Sequence, residues 1–163
     1  VKILDAFLKV AASLRVDNPN DQLCCVYVRA TLAAAYGEAV VARAPVNLWH
    51  LWPETRDPWG PVTAALRAGV ATAPPAPAHP VRGAWHIVQG WRGTPFAPGV
   101  LGHTFLWYEA PDASSGLLLD SADKRAPDGG IVDTIEDGPA ATPTTWAAVQ
   151  ARYRGGIAVG VLS

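Results

Sequence analysis

Apolar residues recur at helical spacing near the start of the chain and at strand spacing in its second half. Ile3, Leu4, Phe7, Leu8, Val10, Ala11 and Leu14 predict an amphipathic helix over residues 2–15. The polar residues 17–22 follow, and Asn18, Asn20 and Asp21 suit the capping of backbone N–H groups at a helix start. From Leu23 to Tyr36 the chain is apolar almost throughout and stops at Gly37, which predicts a second helix ended by glycine. Val40 to Ala44 is short and apolar. Residues 45–59 carry Trp49, Trp52 and Trp59 among Pro45, Pro53 and Pro58, a spacing that no long regular element tolerates. A short helix is expected over 60–69, with Val62, Ala65 and Leu66 apolar, and an extended proline–alanine connector over 71–80.

Beyond Gly83 the period changes to two. Residues 84–91 predict a strand and 92–102 a Gly/Pro loop; 103–109, rich in aromatic and β-favouring residues, predict a second strand. A turn over 111–116 leads to a third strand ending at Asp120. The Asp/Gly-rich run 123–138 reads as a loop with a possible short strand at Ile131-Val132. Thr144 or Thr145 can cap a last helix over 146–153, and Ile157 to Leu162 closes the chain as a strand. Helices first and an antiparallel sheet second make an α+β fold. At 163 residues the chain fits one domain over residues 1–163, long enough to bury a core.

Composition narrows the partners. Half of the residues are hydrophobic and 17% are charged, which excludes a disordered chain, and a formal net charge of −1 favours neither nucleic acid nor an anionic membrane. No apolar stretch reaches the length needed to span a bilayer, and no signal peptide is recognisable, although a start at Val1 suits processing or trimming. A monomer is expected.

Cys24 and Cys25 stand at the start of the second helix, where unpaired N–H groups and the helix dipole favour thiolate over thiol. Cys24, Val28, Thr31, Leu32 and Ala35 form one helical stripe, whereas the position one turn after Cys25 is Arg29. Cys24 is therefore expected to face inward as the nucleophile, and Cys25 to lie about 100° round the helix, off that face. Neighbouring cysteines lack the spacing for a shared zinc ion, and no metal or other cofactor is expected. Of four histidines, His103 follows Gly102 at a strand start and is the first choice for a base, with His86 second; His50 and His79 lie in irregular segments. Asp120 ends the strand that would pair with the His103 strand, and a carboxylate there can accept the second imidazole N–H. Asp112 and Asp123 are weaker, being in loops. Trp49, Trp52 and Trp59 suit one wall of a substrate cleft, packing under the loop being the blander alternative. Gln89 suits either a substrate or oxyanion contact or a bond to nearby backbone.

The run Cys24 to Leu32 resembles the cysteine-helix motif of NlpC/P60 and CHAP domain peptidases. Gly102-His103-Thr104-Phe105-Leu106-Trp107 is similar to that family's Gly-His strand, and Leu117-Leu118-Leu119-Asp120-Ser121-Ala122 to the strand ending in its third polar residue. Leu23 stands where such proteins often have aspartate. The resemblance implies a papain-like core with the nucleophile helix packed on the sheet. It also implies a thiol amidase or endopeptidase acting on the peptide stems or cross-links of bacterial peptidoglycan. A cell-wall hydrolase, a phage lysin or a secreted antibacterial toxin with an immunity protein as partner would fit, working in the periplasm or cell wall after secretion or delivery. An acyltransferase, a deamidase or a deubiquitinase-like enzyme acting on protein would use the same thioester. A non-enzymatic binding domain would use Cys24 only for packing.

Overall fold

A computed structural model describes residues 2–14, 23–51, 56–122 and 138–163. Helix α1 (Lys2–Ser13) buries Ile3, Ala6, Phe7 and Val10, the stripe that its spacing predicts, and packs against α2 (Leu23–Tyr36). Gly37 ends α2 at φ +103°, a backbone that a side chain would strain, and leads directly into α3 (Glu38–Val41). A 3-10 turn (Val46–Trp49) precedes α4 (Gly60–Ala68), which Gly69 closes in the left-handed conformation, its N–H turned back on Ala65 and Leu66. The cap of the last helix, α5 (Trp146–Arg152), is the Thr145 hydroxyl, accepting from Ala148 N–H at 3.2 Å.

Strands β1 (Ala71–Thr72), β2 (Trp85–Trp91), β3 (Gly102–Glu109), β4 (Gly116–Ala122), β5 (Gly138–Thr144) and β6 (Gly156–Leu162) form one antiparallel sheet. Its order is β1-β6-β2-β3-β4-β5. With five α-helices among the described residues, the fold is α+β. Strand alternation divides the sheet into two packed faces. Ile87, Leu106 and Leu119 meet α1, α2 and α4 on one side, and Val88, Phe105, Trp107, Leu118 and Val159 meet Val149 and Tyr153 of the α5 segment on the other. Helix α2, which carries Cys24 and Cys25, thus packs on β3 and β4.

Three elements differ from expectation, the first being β4, which runs past Asp120 to Ala122 because β5 pairs with it there. Residues 138–144 form the edge strand β5 although Pro139 and Pro143 lie within them. An edge tolerates prolines because one side of its backbone has no ladder to complete. Ala71 and Thr72, expected in the connector, pair with β6 at the opposite edge. The possible strand at Ile131-Val132 lies outside the described residues.

Candidate active site

The register of β3 brings three chain segments to one end of the sheet. β3 pairs with β4 as far as Leu106–Leu119, while β4 goes on pairing with β5 to Ala122–Gly138. Toward that end His103, Phe105 and Trp107 share a face with Leu118 and Asp120 by the period of two. His103 Nε2 lies 2.8 Å from Asp120 Oδ2, with both side chains almost fully buried at 2% and 1% exposure. The ring is held flat by stacking on Phe105 and on Tyr153, at centroid distances of 5.7 and 6.4 Å. Gly90, opposite His103 on β2, makes room for Tyr153, since a Cβ there would run into its ring.

The first turn of α2 reaches the same place. Cys24, half-buried, hydrogen-bonds His103 and receives the backbone N–H of Thr104. Because Nε2 is on Asp120, Nδ1 is the imidazole nitrogen left for the sulfur. The Cys24 thiol is held well below its ordinary pKa, first by a hydrogen bond from Cys25 and then, against the cost of burial, by the bond to His103 and its positive charge. Cys25 is displaced the opposite way, well above the ordinary value, by the neighbouring Cys24 and by burial. A thiol of lowered pKa beside an imidazole that is backed by a carboxylate is an arrangement that can attack an acyl carbon and move one proton.

Cys25 itself requires a correction. It is the more deeply buried of the two cysteines, at 1% exposure, covered by Leu51 and Trp91 rather than left off the inward face. The stripe through Val28, Thr31, Leu32 and Ala35 is buried as expected. Residues from distant segments, however, cover a further side of the first helical turn, and helical spacing carries no record of them.

The remaining candidates separate. His86 is fully buried on the same strand face but four residues further along β2, about 13 Å from the His103 level. Its Nε2 accepts from Val81 N–H at 2.8 Å and its Nδ1 lies 3.2 Å from Trp107 O, so both nitrogens serve the backbone. Trp49 is not a cleft wall: it is wholly buried in the helical core, its indole N–H on Val41 O. Gln89 is likewise enclosed, with Nε2 on Gly90 O at 3.0 Å and Oε1 accepting from the Thr104 hydroxyl, so it presents no donor to a substrate. Trp52 lies outside the described residues. Trp59 is half-buried ahead of α4, against Gly156, in the cluster that also holds Cys24, Leu51, Trp91, Phe96 and Val100.

Sequence reasoning missed Tyr153, Thr104, Trp91 and Phe96 as neighbours of the site. Two signals pointed to some of them: Gly90 inside a strand marks a close approach, and the β2–β3 hairpin places Trp91 opposite Gly102. Comparison with family models, with curated proteins and with solved structures found no match. Among the described residues no helix is long and apolar enough to cross a membrane.

Proposed function

We propose that this chain is a cysteine amide hydrolase with a papain-like, NlpC/P60–CHAP type of site. The observation that carries the reading is the line Cys24–His103–Asp120, with the imidazole bonded on one side to a half-buried thiol and on the other to a buried carboxylate. In the reaction, the Cys24 thiolate forms a bond to the substrate carbonyl carbon. His103 gives its proton to the departing amine as the C–N bond breaks, leaving a thioester. Water then adds to the thioester, His103 taking a proton from it and returning one to the sulfur as the acid leaves. Asp120 keeps Nε2 protonated and the ring oriented. The N–H groups in the first turn of α2 have no helical carbonyl to satisfy, and that of Cys24 is the natural donor to the developing oxyanion.

The substrate class follows from the resemblance of the three motifs: peptide stems or cross-links of peptidoglycan, reached in the periplasm or cell wall. Purified sacculi incubated with the protein should release new amino groups, and Cys24→Ala should stop the release. Ammonia release from protein-bound glutamine, with sacculi untouched, would move the same site to deamidation of protein. Absence of thiol-dependent amine or ammonia release from both substrates would sink the hydrolase reading.

A further inference from the structure

The polar chain behind the nucleophile is longer than a Cys–His–Asp set requires. Cys25 Sγ lies 3.8 Å from Cys24 Sγ and 3.6 Å from Thr104 Oγ1, both within reach for a sulfur hydrogen bond. Its sulfur also receives the N–H of Leu51. The single Thr104 hydroxyl proton goes to Gln89 Oε1, and Gln89 in turn spends its amide on Gly90 O. Thr104 Oγ1 can therefore only accept from Cys25. One S–H proton thus stands between two acceptors, a neutral hydroxyl oxygen and the Cys24 sulfur. All of these groups except Cys24 are buried, so no water competes freely for the proton.

We propose that Cys25 is a positioning residue for the nucleophile, its S–H turning from Thr104 Oγ1 to Cys24 Sγ when Cys24 loses its proton, with Thr104 and Gln89 fixing the resting orientation. No bond to sulfur forms or breaks; only the direction of the S–H changes. A hydrogen bond to an anion is stronger than one to a neutral hydroxyl, so ionisation of Cys24 itself redirects the proton. The opposite displacements of the two thiols agree with this geometry. The titratable groups facing Cys24 are Cys25 on its own helix and His103 on β3, with Asp120 on β4 and Tyr153 after α5 against the imidazole. The inference rests on the reading of Cys24 and His103 as a reactive pair.

The test follows Cys24 ionisation rather than turnover. The rate of Cys24 carboxamidomethylation by iodoacetamide is measured against pH, by mass spectrometry of the Cys24 peptide, in wild type, Cys25→Ala, Cys25→Ser and His103→Ala. Circular dichroism checks the fold of each. Cys25→Ala should raise the midpoint by about one to two pH units, and so slow alkylation at pH below both midpoints by about 10- to 100-fold. Cys25→Ser, which keeps a donor, should recover at least half of that shift. In unaltered wild type, thiolate absorbance at 240 nm should rise in two separate steps, one below and one above the ordinary thiol range. That titration and the serine variant decide the matter should the alanine variant fail to fold. A low wild-type midpoint that His103→Ala raises and neither Cys25 variant moves overturns the role of Cys25 and leaves the Cys24–His103 pair standing. A wild-type midpoint in the ordinary thiol range, unmoved by His103→Ala, overturns both.

Discussion

Each side chain in the site is held by a contact that a single substitution can remove. Cys24→Ala deletes the sulfur that hydrogen-bonds His103, so turnover should vanish with the fold intact. His103→Ala should lower turnover by about 10²–10⁴-fold, the range general acid–base groups supply. His86→Ala should instead cost stability, since it leaves the Val81 N–H and the Trp107 carbonyl without their buried partner. Denaturant unfolding and turnover measured side by side separate the two histidines. If His86→Ala folds normally and loses as much turnover as His103→Ala, the base has been placed on the wrong strand. Asp120→Ala should be milder than loss of His103, and Asp120→Asn milder still, because the amide oxygen can still accept the Nε2 proton. Equal and complete loss in both Asp120 variants would mean that charge, not orientation, is what the carboxylate supplies.

At the scale of elements, the hairpin of β3 and β4 and the docking of α5 hold the imidazole. The β3–β4 turn sets a register that brings the end of β4 back beside the beginning of β3, which is why the contact of His103 with Asp120 can be argued from the spacing of the two strands. No such argument reaches Tyr153. It comes to the ring because α5 crosses from the β5 edge back over the sheet, and because Gly90 leaves a hole there. Gly90→Ala should push Tyr153 away, at a cost of about 1–3 kcal/mol, and loosen His103. Reduced turnover together with a lower unfolding midpoint is the expected result. Full activity in the variant would show that the Tyr153 stack does not position the ring.

For the whole molecule, a neutral buried histidine makes stability depend on pH. Burial lowers the pKa of His86 from its ordinary value of 6.5. The unfolded chain therefore takes up a proton near pH 6.5 that the folded chain still refuses, so the contribution of His86 is complete above that pH and is lost as pH falls. The loss from one such group is at most about 1.4 kcal/mol per pH unit. Urea unfolding at pH 7.5 and 5.0 should show a larger drop in wild type than in His86→Gln, which has an amide in place of the imidazole. An equal drop in both would assign the acid sensitivity elsewhere.

Most of the scaffold was legible because helix and strand periods are properties of the chain itself. The stripe Val28, Thr31, Leu32 and Ala35, the glycine after α2, the threonine cap of α5 and the alternation in β2, β3 and β4 all act within a few residues of one another. The hairpin extends that reach by one turn, far enough to pair His103 with Asp120. What lay beyond the sequence was burial imposed by segments distant along the chain. Nothing local distinguishes Trp49, sealed in the core, from Trp59 beside Cys24, or tells Gln89 to turn its amide onto Gly90. Prolines hid β5, because only its place at the sheet edge makes them tolerable. Cys25 shows the same division most sharply. Its angle on the helix follows from its position in the sequence, but Leu51, Trp91 and Thr104 arrive from elsewhere and turn that angle into a buried contact behind Cys24.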